Sequence, residues 1–218
     1  MSVTIKPFDF ADPLIIKEQR LPHWRQNGCA YFVTCHLGDS LPVGLLRLWS
    51  EVRQNWLKHH PSPWSQEEAM EYRERFTETM EGYLDAGMGS CALRNPACAQ
   101  CVADTLLYDN GNQYDLGSFV VMPNHMHLLV VPRVGVELSD IKEAWERISA
   151  RRINQLLGRR GRLWSREAYD HIVRNEKECM RIDKYIRNNP VKANLRDDEF
   201  VLGGEIDCWT FQTQEGFS

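Results

Sequence analysis

The sequence predicts an α+β fold in which helices cover one face of an antiparallel β-sheet. Four short segments are rich in β-branched and aromatic residues, and longer segments with apolar residues at helical spacing separate them. Two of the strand segments follow each other directly across Pro123-Asn124, as in a hairpin. A chain of 218 residues with 43% hydrophobic composition can bury one ordinary core, which indicates one domain with an insertion.

The first half of the chain predicts one strand followed by three helices. The strand covers residues 29–37, and the helices cover about 42–58, 65–85 and 96–107. Residues 1–28 predict an irregular lead-in. Ser65 and Glu68 have the spacing of a capping box at the start of the second helix. The three helices form a predicted insertion at about 42–107.

The second half predicts the rest of the sheet. Strands are expected at 114–122, 125–131 and 168–174, and helices at about 139–157 and 176–188, before Pro190. The order strand, helices, strand, strand, helix, strand, helix is typical of a split βαβ, ferredoxin-like or RRM-like sheet. The expected division is a main domain at 29–195 and a C-terminal tail at 196–218.

The charge of the chain is unevenly distributed. A formal net charge of −4 argues against a nucleic-acid partner, because phosphate binding needs a concentrated positive surface. However, basic residues outnumber acidic ones between Lys142 and Lys192, and acidic residues dominate between Glu51 and Asp85. This asymmetry suggests one DNA-facing side and one solvated side. Ordinary solvated helix faces are the alternative.

Targeting signals and disulfides are not expected. Residues 1–10 lack the apolar run of a secretory signal, and no later stretch has the length of a membrane span, so the expected location is the cytoplasm. Seven cysteines, an odd count without a framework spacing, indicate reduced thiols. Cys98 and Cys101 have zinc-like spacing, but Cys91 is the only further cysteine nearby, which favours small buried residues over a zinc site.

His125 and His127 are candidate metal ligands. Alternate side chains of a strand share one face, so both imidazoles are expected to project together while Met126 points away. The pair would form half of a metal site. The alternative is a pair of hydrogen-bonded strand histidines.

Tyr185 and Asn189 are the second candidate pair. They are four residues apart on the last predicted helix and therefore share a face, which brings a hydroxyl and a carboxamide together. The alternative is a core tyrosine followed by an Asn-Pro helix stop.

Together these two segments resemble a known family. Met122-Pro123-Asn124-His125-Met126-His127 and Tyr185-Ile186-Arg187-Asn188-Asn189-Pro190-Val191-Lys192 are similar to the hallmarks of the single-tyrosine HUH transposases, with an IS200-like domain, and above all of the REP-associated tyrosine transposases. The resemblance covers roughly residues 29–195. It departs from the family in the acidic helix at 64–85 and in the C-terminal ending at 208–213.

The resemblance implies a metal-dependent strand transferase. His125 and His127 would be metal ligands with Asn189 as a third, the ion would be Mg²⁺ or Mn²⁺, and Tyr185 would attack the phosphodiester to form a 5′-phosphotyrosyl intermediate. A phenol has a pKa of about 10, so this attack needs help from the metal, from cations such as Lys184 and Arg187, or from a base that the sequence does not identify.

The implied partner is single-stranded DNA that bears hairpins, bound by a monomer or a homodimer. The candidate DNA-binding residues are Arg159, Arg160, Arg162, Trp164, Arg166, Lys184, Arg187 and Lys192. For the segment 159–166, a basic loop with a buried Trp164 is the alternative. Two other functions remain open, a domesticated DNA-binding protein without activity and a metal-dependent nuclease that uses water.

Overall fold

A computed structural model describes residues 2–9, 15–18, 22–61, 64–166 and 169–212. The strands are β1 Val3–Ile5, β2 Ile15–Glu18, β3 Pro22–Arg25, β4 Tyr31–His36, β5 Tyr114–Val121, β6 His125–Pro132, β7 Tyr169–Ile172, β8 Val201–Gly203 and β9 Trp209–Phe211. The α-helices are α1 Val43–His59, α2 Gln66–Tyr72, α3 Thr79–Asp85, α4 Pro96–Tyr108, α5 Leu138–Leu156 and α6 Glu176–Lys192. A π-helical segment, Arg73–Glu78, joins α2 to α3, and a 3-10 turn, Ala92–Arg94, precedes α4.

The main sheet has five strands in the order β7-β4-β6-β5-β8, and each pair is antiparallel. Its first four strands are joined as β4-α4-β5 and β6-α5-β7, which is the split βαβ order of the ferredoxin-like fold. The predicted α+β fold with an antiparallel sheet is confirmed. The sheet places β6, which carries the two candidate histidines, between β4 and β5.

Both faces of the sheet are covered by helices. The face bearing Met126 and Leu128 packs against α4 and α5, whereas the face bearing Leu129 packs against Ile182 and Ile186 of α6. The prediction that the helices lie on one face is therefore wrong for α6. The reason lies in β6. Its residues after the histidines are apolar on both faces of the sheet, so both faces must be buried by other elements.

The inserted helices build a small core of their own. Trp49 and Trp56 of α1 pack with Phe76, Met80 and Leu84 from the following helical segments. The helix α4 instead packs in the main core, where Cys98 and Cys101 are buried, so the separate insertion ends near residue 85 and not at 107 as predicted. The predicted capping box is confirmed, because the backbone N–H of each of the two residues donates to the side chain of the other.

The described residues near both ends of the chain contain short strands. β1 pairs in parallel with β9, β2 and β3 form an antiparallel pair, and β8 extends the main sheet beside β5. The expectation of an irregular lead-in at 1–28 and a tail at 196–218 is therefore wrong over these strands. Strands of three or four residues are too short to show periodicity, and the partners of β1 and β8 lie far away in the sequence.

Within the described part of the chain, no helix combines the length and the apolar composition that a membrane span requires.

Candidate active site

The two histidines of β6 lie side by side on the α6 face of the sheet. His125 pairs across the sheet with His36, and His127 pairs with Thr34. Both imidazoles have no exposed surface, and their ring centroids are 4.6 Å apart. The predicted common orientation of the pair is present in the structure, and the strand alternation is its cause.

Hydrogen bonds fix the orientation of both rings. The Nδ1–H of His125 donates to Asn124 Oδ1 at 2.7 Å, and Nδ1 of His127 lies 2.8 Å from the Thr34 hydroxyl. Nε2 of His125 has no hydrogen-bond partner among the described residues. A ring held through Nδ1 presents the lone pair of Nε2, which is how metal-binding histidines are commonly oriented.

Burial keeps both imidazoles neutral. It lowers the pKa of His125 well below its ordinary value, with further contributions from His127 and His36. Burial, followed by the positive charge of Lys192, lowers the pKa of His127 to about 3. A neutral imidazole can donate its lone pair to a cation, whereas a protonated one cannot.

The helix α6 brings Tyr185 and Asn189 to the histidines. Asn175 caps its first turn by accepting a hydrogen bond from the Glu178 N–H. The helix does not end before Pro190 but continues to Lys192, with Asn189 O accepting from the Ala193 N–H. Pro190 has no N–H to donate to Ile186 O, so the last turn lacks one hydrogen bond, but the helix continues through it and the shared face of Tyr185 and Asn189 is kept.

The Tyr185 hydroxyl lies 3.4 Å from Nε2 of His127, and its ring packs edge-on against Phe32 at a centroid distance of 6.0 Å. Burial raises the pKa of Tyr185 well above its ordinary value. The negative charges of Glu81 and Asp85 and a hydrogen bond from the phenol to Glu81 raise this pKa further, whereas a hydrogen bond from Asn189 lowers it.

Lys184 and Arg187, two cations considered for assisting the phenol, have the following surroundings in the structure. Arg187 binds Asp183 at 3.0 Å and donates to Ser118 and to Gly204 O, and Lys184 is exposed. Lys192 is the basic residue next to the tyrosine, with its Nζ 6.0 Å from the centre of the Tyr185 ring. Arg187 is therefore held by a carboxylate of its own helix.

Asp85 is a residue of the site that sequence reasoning missed. Its carboxylate lies 3.8 Å from Nε2 of His125, accepts from Asn189 Nδ2 at 3.3 Å and binds Lys192 at 3.1 Å. Ligand atoms of Asp85, His125 and His127 lie within 4.8 Å of one another. Asp85 ends an acidic helix that the sequence assigns to a solvated surface, and no local signal separates it from the other carboxylates there.

A cavity of about 300 Å³ opens beside Tyr185. Its walls include Phe32, Glu81, His171, Arg181, Tyr185 and Lys192. A phosphodiester entering this cavity would meet the phenol and two cationic side chains. The geometry thus brings a phenol, a candidate cation site and a cavity with cationic side chains to one place.

The segment 159–166 does not contribute a stacking residue. Trp164 is 3% exposed, packs in the main core and donates to Ser149 Oγ at 2.9 Å, so its assignment to DNA binding is wrong. Arg160, Arg162 and Arg166 are exposed. Backbone hydrogen bonds from Gly38 to Leu163 and from Ser165 to His36 hold the segment at the end of β4 that bears His36.

Comparison with known proteins identifies a transposase pattern in the chain. Residues 106–189 match the family described as "Transposase IS200 like", which confirms the resemblance seen in the motifs. The matched region contains β5, β6, α5 and most of α6, and therefore both histidines, Tyr185 and Asn189. No relative was found among curated proteins.

Solved structures similar to the chain include two transposases. One is a REP-associated tyrosine transposase bound to a REP hairpin, with 17% identity and a TM-score of 0.40, covering 81% of this chain and 74% of that one. Another is a candidate transposase from Deinococcus radiodurans R1, with 17% identity and a TM-score of 0.33, covering 73% of this chain and 89% of that one.

Proposed function

We propose that this protein is a metal-dependent strand transferase of the transposase type, which cleaves and rejoins single-stranded DNA through a covalent bond to Tyr185. One observation carries the proposal: the Tyr185 hydroxyl lies 3.4 Å from Nε2 of His127, in a cluster that also holds His125, Asn189 and Asp85. A phenol beside two neutral imidazoles and a carboxylate is suited to nucleophilic attack on a phosphodiester.

The residues of the cluster fit a divalent cation. His125, His127 and Asp85 would hold it, and Asn189 is a proposed fourth ligand, because its Oδ1 is buried without a hydrogen-bond partner among the described residues. Two imidazoles with carboxylate and amide oxygens favour Mg²⁺ or Mn²⁺ over a closed zinc site. When bound, such an ion supplies Lewis-acid polarisation of the scissile phosphate and stabilises the leaving 3′ oxygen.

The side chains of the protein carry out the other steps of the proposed reaction. Tyr185 attacks phosphorus, and the 5′-phosphotyrosyl bond conserves the energy of the broken linkage for rejoining without ATP. Lys192 stands beside the phenol and is 65% exposed, so it can contact a phosphate while remaining close to Asp85. Since Tyr185 reaches the histidines of its own chain, one chain contains the complete set, and a monomer suffices for the chemistry.

The proposed substrate is single-stranded DNA bearing a hairpin. The motif resemblance suggests this substrate, and the cationic side chains at the cavity, Arg181 and Lys192, support an anionic ligand. The exposed arginines Arg160, Arg162 and Arg166 are proposed to contact the DNA backbone outside the cavity.

The experiment that tests this function detects the covalent intermediate. A pool of 3′-labelled single strands, each with a stem-loop and randomised flanks, is incubated with the protein and Mn²⁺ and separated on a denaturing gel. We expect a protein-DNA adduct for the wild type and for the control Tyr108→Phe, whose side chain is 79% exposed on α4, but not for Tyr185→Phe or with EDTA.

The two alternative functions give different results in the same experiment. A nuclease that uses water would cleave the strand in the Tyr185→Phe variant and would leave no adduct. A DNA-binding protein without activity would retard the strands on a native gel but would leave them intact. Either pattern would contradict the proposed mechanism.

A further inference from the structure

Asn124 joins the end of the inserted helix α3 to the proposed metal site. The residue is 1% exposed and lies between β5 and β6, immediately before His125. Its Nδ2 donates to Leu84 O at 3.2 Å and to Met88 O at 3.1 Å, and its Oδ1 accepts from His125 Nδ1 at 2.7 Å. One carboxamide therefore contacts the inserted helix on one side and a candidate metal ligand on the other.

The contacts with the inserted segment determine which way the Asn124 amide faces. A backbone carbonyl can only accept a hydrogen bond, so the carbonyls of Leu84 and Met88 require the NH₂ group of the amide. The amide oxygen is left to face His125, and because this oxygen can only accept, Nδ1 of the imidazole carries the hydrogen. In the neutral ring, the lone pair that can bind a cation is then on Nε2.

Asp85 by itself would favour the opposite arrangement of His125. Its carboxylate lies 3.8 Å from Nε2, and a negative charge beside that atom favours a hydrogen on it, which would block a cation. Nε2 makes no hydrogen bond within the part of the chain that the structure describes. The bond from Nδ1 to Asn124 is therefore the contact that keeps Nε2 available next to the carboxylate.

The same amide also fixes the position of Asp85. This residue directly follows Leu84, whose carbonyl Asn124 binds, and it ends α3. The backbone of Asn124 is itself held by the main sheet, because the Leu37 N–H at the end of β4 donates to its carbonyl at 2.8 Å. Asn124 thus gives a carboxylate of the inserted helix and an imidazole of β6 a common anchor.

We propose that Asn124 is a positioning residue, which ties the end of α3 to His125 and thereby sets Asp85 and His125 for one cation. This inference rests on the proposed function, in which these two residues bind the metal. Both N–H groups and the oxygen of the amide are engaged in the contacts described, so Asn124 acts through its neighbours. The order of the end of α3 and the binding of metal should consequently depend on each other.

The first test uses the full chain and the variant Asn124→Leu, which removes the acceptor and both donors at similar size. We expect the Mn²⁺ affinity, measured by calorimetry, to fall about 10–100-fold, the usual effect of removing a hydrogen-bond partner of a metal ligand. Nitrogen NMR of the metal-free variant should show the His125 hydrogen on Nε2 and not on Nδ1. The control Asn112→Leu alters an exposed asparagine and should change neither result.

The variant Asn124→Asp separates the two contacts of the amide. Its carboxylate still accepts from His125 Nδ1 but has no hydrogen to donate to the carbonyls of Leu84 and Met88. We expect the His125 hydrogen to stay on Nδ1, while backbone amides at the end of α3 exchange with deuterium faster than in wild type. In wild type, Mn²⁺ should slow this exchange, because the ion would bind Asp85.

The results distinguish a positioning role from a purely structural one. A structural role would not move the hydrogen of His125. The losses of Mn²⁺ affinity in Asn124→Leu and Asp85→Asn should also be less than additive in the double variant, because both changes disturb the same pair of ligands.

Three outcomes would overturn the proposal. They are wild-type Mn²⁺ affinity in Asn124→Leu, a His125 hydrogen that stays on Nδ1 in that variant, and unchanged exchange at the end of α3 in Asn124→Asp. If wild type itself binds no Mn²⁺, the proposed metal-dependent function fails instead. The NMR and exchange measurements on the metal-free protein then still decide whether Asn124 couples α3 to His125.

Discussion

The buried histidines predict a specific loss of stability in acid when metal is absent. In the unfolded chain His127 takes up a proton below its ordinary pKa of 6.5, whereas in the folded protein it does so only at about 3. The unfolded state therefore binds more protons between these two values, and the folded protein loses stability as the pH falls through this window. Above pH 6.5 both states hold a neutral imidazole and the effect is absent.

The magnitude follows from the difference in proton binding. Each pH unit in the window is worth about 1.4 kcal/mol for one histidine, so His127 alone should lower the free energy of unfolding by about 2 kcal/mol between pH 7 and pH 5. His125, whose pKa is also lowered, adds a loss of the same sign. These losses are a substantial part of the stability of an ordinary domain.

The assay is urea unfolding in EDTA at several pH values, for the wild type and for His127→Asn. Between pH 7 and pH 5, we expect the free energy of unfolding to fall by about 2 kcal/mol less in the variant than in wild type, because asparagine does not titrate. Equal losses in the two proteins would refute the idea that His127 is buried in its neutral form. With Mn²⁺ in place of EDTA, the free energy of unfolding of wild type should fall more steeply between pH 7 and pH 5. Protons and the metal compete for the imidazoles, so the stabilisation by bound metal is lost in acid.

Two further predictions concern residues that the sequence assigned differently. Asp85→Asn should weaken Mn²⁺ binding on the order of 10-fold or more, because it removes the carboxylate that lies 3.8 Å from Nε2 of His125. Calorimetry measures this affinity, and an unchanged binding isotherm would exclude Asp85 from the metal site. Trp164→Ala should lower the free energy of unfolding by about 3–5 kcal/mol, because it leaves a cavity in the core. The control Arg162→Ala, on the same segment, should change the free energy of unfolding little. A Trp164→Ala variant that is as stable as wild type but binds DNA more weakly would support the stacking role instead.

The sequence by itself determined the longer strands and helices of the main domain and part of the candidate site. Periodicity was sufficient for β4, β5 and β6 and for α1, α4, α5 and α6, because these segments are long enough to show which side is apolar. The alternation of a strand placed His125 and His127 together, and helical spacing placed Tyr185 with Asn189. These are local relations, and local geometry follows from the chain without knowledge of its partners.

The tertiary structure alone decided which segments meet. Asp85 reaches the site because the end of α3 lies opposite α6, a contact between residues about one hundred positions apart that leaves no periodic signal. Trp164 looked suitable for stacking on a base, yet burial against Ser149 made it part of the core. The sequence of an acidic helix, or of a basic loop with a tryptophan, is the same whether the segment faces solvent, a substrate or the interior. The burial of a residue depends on which distant segments pack against it, and the local sequence does not specify them.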